Sequence, residues 1–225
     1  MARVKHDETQ EDRSQRGSRT PKETLDRYRD AAETLFIRLG YEGTSIRAIS
    51  ARTGMNLATV VYHWGTKRAL FEDLLRRRFG PICAIQATRL RDMARLDEPP
   101  SLSDVLSALV EPPLLTPQSD RAAMWIGLLY GRALTDPSAE IADIITALFS
   151  EASALMLELM SRCLPDLPED ELMRRYTCAV GAFIFAQGFS HRIAQATNVR
   201  VPLVPRRVRA TEIVAFMQAG LTHGR

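Results

Sequence analysis

The chain has 225 residues, of which 45% are hydrophobic and 25% charged, and its formal net charge is +3. This composition predicts a soluble globular protein with one large or two small domains. No uninterrupted apolar run approaches the ~18 residues of a membrane span, and the polar first twenty residues lack the apolar core of a secretory signal. We therefore expect a cytoplasmic protein with no membrane partner.

The charge is unevenly distributed along the chain. Residues 1–80 contain 16 Lys or Arg against 11 Asp or Glu, whereas residues 81–225 contain 14 against 16. A basic first third suits contact with phosphate, although ordinary scatter of surface charge would give the same counts about as often.

Residues 1–20 are polar and without periodicity, which predicts a disordered arm. Its arginines, Arg13, Arg16 and Arg19, could follow a DNA groove, but a solvated tail is the simpler interpretation. Thr20 and Pro21 then suit the start of a first helix, which apolar residues at helical spacing continue until Gly40.

The segment from Thr44 to Leu70 predicts two short helices, a tight turn between them and the start of a fourth helix. Thr44 or Ser45 can cap the second helix, Gly54 breaks the chain, and Asn56 can cap a third helix. Thr66 can cap the fourth helix.

The third helix has an apolar face and a second face suited to DNA. Val60 and Trp64 lie four residues apart and predict the buried face. Ala58 and Val61 could then contact thymine methyl groups, and Thr59 and Tyr62 could hydrogen-bond to phosphate. His63 could meet a base or a phosphate, or be plain helix surface. Lys67 lies beside the free backbone N–H groups that begin the fourth helix, where a phosphate can bind.

About fifty residues here resemble the N-terminal domain of the TetR/AcrR family of bacterial transcriptional regulators. The matching pieces include Ala31 to Phe36, Gly40 to Ile49, Thr53 to Asn56 and Thr59 to Leu70. The resemblance implies phosphate contacts by Thr44, Tyr62 and Lys67. It also implies contacts with the DNA groove by Arg47, Leu57, Ala58, Thr59, Val61 and His63.

The remainder predicts only helices, with breaks at Asp97 to Pro100, Pro112-Pro113, Thr135 to Pro137, Pro165 and 201–206. The fourth helix should run from Lys67 to near Ala94 with a possible bend at Gly80-Pro81, and one long helix should span about 170–197. Arg76-Arg77-Arg78 fits a structural role better than a DNA contact. Cys83, Cys163 and Cys178 are far apart, so reduced thiols are expected rather than disulfides or a metal site.

Residues beyond 81 resemble, less specifically, the fatty-acid-responsive repressors of the same family, through Arg78 to Ile82, Leu128 to Pro137 and Cys163 to Leu172. The resemblance implies a small apolar effector bound between helices and a homodimer formed through the last two helices. Candidate pocket residues are Met124, Trp125, Leu128, Tyr130, Phe149, Met156, Met160, Phe183 and Phe189. Residues of this kind at helical spacing are more often plain core. Small residues at Gly181, Ala182, Ala186 and Gly188 would permit a close dimer seam.

The sequence thus predicts an all-α protein. We expect an arm at 1–20, a three-helix helix-turn-helix domain at 21–66, a connecting helix at 67–95, and an effector-binding and dimerisation domain at 96–225. The sequence contains no known enzyme motif, and its histidines do not have the spacing of metal ligands. No catalytic residue, metal or cofactor is therefore expected. The first hypothesis is a homodimeric repressor that binds a palindromic double-stranded DNA operator and is released by a small lipophilic effector. The alternatives are a ligand carrier or enzyme with a vestigial helix-turn-helix, and a DNA binder without an effector.

Overall fold

The computed structural model of the chain describes residues 21–117, 119–200 and 204–223. The predicted arm lies outside these residues. Within them the chain forms ten α-helices and no strand, which confirms the all-α prediction. The helices are α1 (Pro21–Leu39), α2 (Ile46–Thr53), α3 (Leu57–Trp64), α4 (Lys67–Ala94), α5 (Leu102–Leu115), α6 (Asp120–Leu134), α7 (Ala139–Cys163), α8 (Glu169–Gly188), α9 (Ser190–Thr197) and α10 (Arg206–Thr222).

The first apolar core lies among α1, α2, α3 and the first half of α4. Tyr28, Phe36, Ile49 and Val60 are buried there. The core continues into α6 and α7, where residues such as Ile141 belong to the same cluster. The first three helices therefore pack against α6 and α7 through a shared apolar core, in addition to their covalent connection through α4.

The second core lies among α5, the end of α7, α8 and α10. Leu106, Met156, Phe183 and Met217 are buried in it. Helix α4 contributes to both cores, through Leu74 at one end and Leu90 at the other. It runs unbroken through Gly80 and Pro81, as one helix of 28 residues.

Helix α5 continues through Pro112 and Pro113, so the predicted break there is wrong. A proline leaves the carbonyl four residues before it without a helical donor. A buried glutamine supplies the donor that Pro113 lacks, and a second buried glutamine binds a carbonyl nearer the end of α5. Gln86 Nε2 of α4 donates to the Leu109 carbonyl at 2.8 Å. Gln187 Nε2 of α8 donates at 3.3 Å to the Pro113 carbonyl, which is free because residue 117 is also a proline.

The predicted helix at 170–197 is two helices, α8 and α9, which meet at Phe189. Helix α8 crosses α6 closely where two glycines face each other. A Cβ atom added to Gly188 would lie 2.8 Å from the carbonyl carbon of Gly127. Gly188 therefore serves a contact within the chain and does not belong to the surface seam predicted from its small size.

Helix α7 is long and apolar enough, by length and composition alone, to cross a membrane. Core helices of soluble proteins pass the same test. Helix α7 packs along α4, and its residues Ile141, Met156 and Leu159 are buried in the two cores. These contacts account for its apolar residues as core packing.

Candidate nucleic-acid interface and effector groove

The turn between α2 and α3 is fixed by caps and a glycine. Ser45 caps α2 by accepting a hydrogen bond from the Ala48 N–H, which decides between the two predicted cap residues. Gly54 ends α2 with a φ of +70°, a conformation that side chains rarely adopt. Asn56 Oδ1 accepts from the Ala58 N–H at 2.8 Å and begins α3. This local chemistry sets the angle at which α3 leaves the turn.

Helix α3 buries one face and exposes the other. Val60 is fully buried, whereas Tyr62 is 85% exposed and Val61 50% exposed. The other predicted groove residues on this helix, Leu57, Ala58, Thr59 and His63, are also exposed. An eight-residue helix thus offers an aromatic and two β-branched side chains to solvent, an arrangement that a major groove would accommodate.

Trp64 holds the end of α3 against two other helices. Its ring stacks on Tyr28 of α1 with centroids 5.2 Å apart, and its Nε1 donates to Asp73 Oδ2 of α4 at 2.9 Å. The guanidinium of Arg29 lies 5.4 Å from the ring centroid. The predicted buried role of Trp64 is therefore correct in kind, although the ring is half-buried and its partners were not predicted.

Thr44, predicted to contact phosphate, does not present its side chain to solvent. The residue is only 1% exposed, and its Oγ1 donates to the Gly40 carbonyl at 2.8 Å. This hydrogen bond closes the turn between α1 and α2. A phosphate contact by the Thr44 hydroxyl would require breaking the bond, so the structure argues against that prediction.

Lys67 lies at the first position of α4, half-buried against Tyr41. Its Nζ is 4.1 Å from the centroid of the Tyr41 ring and donates to the Tyr41 carbonyl at 3.2 Å. Glu42 Oε2 lies 3.6 Å from the same nitrogen. Lys67 is thus held at the helix N-terminus, with only part of its ammonium group available to a phosphate. Arg47, on α2, is exposed.

The three arginines at Arg76-Arg77-Arg78 serve the packing of α4, as predicted, but through ion pairs. Arg77 contacts Asp26 at 2.7 Å and Arg78 contacts the buried carboxylate of Glu33 at 2.6 Å, both on α1. Desolvation would raise the pKa of Asp26, but the charge of Arg77 and the hydrogen bonds that Asp26 accepts hold that pKa below its usual value. Arg77 and Arg78 are therefore committed to α1, whereas Arg76 pairs with Glu72 on α4 itself.

Tyr41 connects the first three helices to the rest of the protein, a role that the sequence did not indicate. Its hydroxyl donates to Glu140 Oε2 at 2.9 Å, and its backbone N–H donates to Asp136 Oδ2 at 3.4 Å. Asp136 lies in the connection between α6 and α7, and Glu140 lies in the first turn of α7. Lys67 of α4 contacts both the ring and the carbonyl of Tyr41. Tyr41 therefore links the region where α6 meets α7 to the start of α4.

Two spaces lie beside Tyr130 and Tyr176, one enclosed and one open. The enclosed cavity lies between the two cores and has a volume of about 40 Å³, enough for a few water molecules. The open groove, lined by α6, α8 and α9, has a volume of about 810 Å³. Only the groove falls within the size of ligand sites.

The predicted pocket residues divide between these spaces and the core. Tyr130, Phe149, Met156 and Phe183 line the small cavity. Tyr130 and Phe189 line the groove. The remaining four candidates line neither space. Met124 is exposed and Met160 is fully buried, whereas Trp125 and Leu128 pack against the first core. The groove also includes Arg132, which was not predicted, and Arg192, which the sequence suggests only as part of a pocket or surface pair with His191.

A second apolar surface covers α8, α9 and α10. Phe185, Ile193 and Phe216 are 45%, 53% and 68% exposed, and they line a shallow depression between these helices. Scattered apolar residues on a surface are ordinary, but a contiguous patch is typical of a protein interface. The patch lies on the segments in which the predicted dimer contact was placed.

Two family models match the sequence. The model described as bacterial regulatory proteins, tetR family, matches residues 29–74. The model described as tetracyclin repressor-like, C-terminal domain, matches residues 107–220, half of the chain. A comparison with curated proteins gives no match.

Several solved structures share the fold at low sequence identity. The TetR family transcriptional regulator PfmR from Thermus thermophilus is 15% identical with a TM-score of 0.57, over 89% of this chain and 100% of that one. AmtR from Mycobacterium smegmatis is 16% identical with a TM-score of 0.55, over 89% and 87%. A regulator from Saccharomonospora viridis in complex with choline is 19% identical with a TM-score of 0.53, over 90% and 97%.

Proposed function

Because the chain belongs to the TetR family and is a DNA-binding transcriptional regulator, we propose that it is a repressor that binds a palindromic operator as a homodimer. A small lipophilic effector releases it from the operator. Residues 21–66 bind DNA, 67–95 connect, and 96–225 bind the effector and dimerise. The arm at 1–20 is outside this assignment.

The observation that carries this proposal is the exposed face of α3. Tyr62 and Val61 project into solvent. On the opposite face, Val60 is buried in the first core and Trp64 stacks on Tyr28 of α1. In a major groove, Ala58, Val61 and Leu57 contact base edges, Tyr62 and Thr59 contact phosphate, and Arg47 and His63 extend the contact at the two sides. Lys67 adds charge at the N-terminus of α4.

The two-fold symmetry of a homodimer matches a palindromic operator, in which the same half-site occurs twice. The apolar patch on α8 to α10 supports an isologous contact, in which the same residues of both copies meet. Two copies of α3 then enter successive major grooves about 34–36 Å apart. The half-sites should be inverted and centred about one helical turn apart.

The effector acts through α6. The groove is lined by Tyr130, Arg132 and Thr135, and the connection that follows α6 contacts Tyr41 through Asp136. An effector that binds better to a conformer with altered α6 position lowers operator affinity by shifting populations. Choline in the Saccharomonospora viridis regulator is a small ligand of a protein with this fold.

The test is DNA binding by the intact protein. Fluorescence anisotropy should detect binding to duplex from the chain's own upstream DNA, with Kd rising steeply with salt. A lipophilic extract of the host should relieve it. Arg47→Gln should weaken binding, whereas Arg207→Gln, an exposed arginine on α10, should not. Absence of DNA binding at low salt, by a protein shown to be dimeric, would overturn the proposal.

A further inference from the structure

The exposed face of α3 carries no side chain that makes a bidentate hydrogen bond with a base. The helix, which the structure describes throughout, has the sequence LATVVYHW and contains no Arg, Lys, Asn, Gln, Asp or Glu. Those are the side chains that distinguish guanine, adenine and cytosine by their hydrogen bonds. Asn56, the residue before the helix, has an amide, but its Oδ1 is engaged by the Ala58 N–H at 2.8 Å. Hydrogen bonding from α3 to bases is therefore restricted to single bonds.

Three apolar side chains form a continuous exposed strip on α3. Leu57 and Val61 lie four residues apart, and Ala58 and Val61 lie three apart, so the three are neighbours on the helix surface. Leu57 is 38% exposed, Val61 is 50% exposed, and Ala58 is exposed as well. The strip lies between the buried face of the helix and Tyr62. Its side chains remain in water until the helix meets a partner.

The major groove offers one apolar group to such a strip, the 5-methyl group of a pyrimidine. Thymine carries this methyl group. 5-Methylcytosine carries the same group at the same ring position, in a pair with guanine instead of adenine. Burying one methyl group against apolar side chains is worth about fourfold in Kd. Because the side chains of Leu57, Ala58 and Val61 have no polar atom, they do not distinguish the O4 of thymine from the N4 amino group of methylcytosine.

We propose that α3 recognises its operator through pyrimidine 5-methyl groups, which the strip of Leu57, Ala58 and Val61 contacts in each half-site. The protein therefore also senses methylation of cytosine at C5, since that modification adds the recognised group. The inference rests on the proposed function, because it names the chemical feature of the operator that gives specificity. Phosphate contact by Tyr62 holds the helix in the groove whatever the sequence, so the loss of one methyl group lowers affinity by a graded amount.

The first test removes single methyl groups from a bound duplex. Selection from a random-sequence pool by the intact protein supplies the duplex. Each thymine in it is then replaced by deoxyuridine, which lacks only the methyl group, and fluorescence anisotropy measures Kd. At one or more positions in each half-site the Kd should rise about fourfold, and replacement in both half-sites should multiply the two effects.

The second test shortens the strip on the protein. At the most sensitive position, Val61→Ala should bind the thymine and deoxyuridine duplexes with Kd values within about twofold of each other. Val199→Ala is the matched control, because Val199 is 61% exposed and lies beyond α9, and it should keep the full difference. Circular dichroism and Tm show whether each variant is folded. A full difference at that position in Val61→Ala, or equal Kd values at every position in the wild type, would overturn the proposal.

A third series of duplexes separates thymine from methylated cytosine. At the most sensitive position the thymine–adenine pair is replaced by cytosine–guanine and then by 5-methylcytosine–guanine. The methylated duplex should bind about fourfold more tightly than the unmethylated one, and Val61→Ala should lose this gain. A deoxyuridine effect without a gain from methylcytosine would overturn the part of the proposal that concerns methylated DNA. Binding to no duplex would overturn the proposed function and this inference with it, whereas binding without any methyl effect would overturn this inference alone.

Discussion

The indole nitrogen of Trp64 and a carboxylate oxygen of Asp73 are 2.9 Å apart, and this hydrogen bond fixes the end of α3 on the second turn of α4. The same oxygen accepts a hydrogen bond from Nε of Arg29 on α1 at 2.7 Å. One carboxylate oxygen therefore joins three helices. This acceptor therefore contributes to the orientation of the exposed face of α3, together with the caps of the turn and the burial of Val60.

Trp64→Phe keeps an aromatic ring but removes the hydrogen bond. We expect the free energy of unfolding to fall by about 1–2 kcal/mol, because the bond is made to a charged group that is partly exposed. Operator affinity should fall as well. Urea denaturation measures the first effect and anisotropy the second. Trp125→Phe, a half-buried tryptophan on α6, is the control and should not change operator affinity; equal losses of affinity would argue against the orienting role.

Tyr62→Phe removes a hydroxyl from an 85% exposed side chain. It should leave stability within about 0.5 kcal/mol, as surface changes usually do. If Tyr62 contacts phosphate, binding to every duplex tested should weaken by a similar factor, and Lys67→Ala should act in the same direction. Val61→Ala should instead alter base preference. A panel of duplexes that differ at single positions distinguishes the two, and a change of preference in Tyr62→Phe would contradict its assigned role.

The sequence was sufficient to predict the local structure of the DNA-binding helices. Ser45, Asn56 and Thr66 each cap a helix through a bond to a residue two or three positions away, so short-range pattern reveals them. The contact between Trp64 and Arg29 could not be predicted in the same way. It joins residues 35 positions apart, and periodicity shows only that a side chain is buried, not against what.

The same limit applied to the predicted effector region. Periodicity could not separate Met160, which fills the core, from Phe189, which lines the groove. The prolines at 112 and 113 predict a helix end, because a proline removes a backbone donor. The Leu109 carbonyl that Pro113 leaves free accepts instead from Gln86, which comes from a distant segment.

Gly188→Ala should test the close crossing of α6 and α8. The added Cβ would lie 2.8 Å from backbone of Gly127, which cannot rotate away. We expect a loss of about 1–3 kcal/mol in the free energy of unfolding. Gly80→Ala is the control, since a Cβ there meets nothing within 4 Å and alanine favours the helix, for a gain of up to about 1 kcal/mol. Similar effects in both variants would mean that the crossing tolerates a wider separation.

The pair Tyr41 and Glu140 should show measurable coupling across the boundary between the DNA-binding helices and α7. Tyr41→Phe and Glu140→Ala each remove the 2.9 Å hydrogen bond, so the double variant should lose less stability than the sum. A coupling energy of about 0.5–1.5 kcal/mol is expected from urea denaturation. Strict additivity would mean that the bond does not hold the two parts together.

The apolar patch on α8 to α10 should hold the dimer together. Phe216 is 68% exposed, and Phe216→Glu would place a charge from each copy at the proposed contact. Sedimentation equilibrium should show a dimer for the wild type and a monomer for this variant. Leu96→Glu, at a residue 52% exposed after α4, is the control and should remain dimeric. A dimeric Phe216→Glu would require another contact surface.

The prolines of α5 have a consequence for how movement is distributed through the protein. The Leu109 and Pro113 carbonyls of α5 bind Gln86 of α4 and Gln187 of α8, so sliding of either helix along α5 would break a buried hydrogen bond. Helices α4, α5 and α8 are therefore held in a single longitudinal register. Neither of these two bonds involves α6, whose last turn contacts the last turn of α1 through the bond from Arg132 Nε to the Ile37 carbonyl.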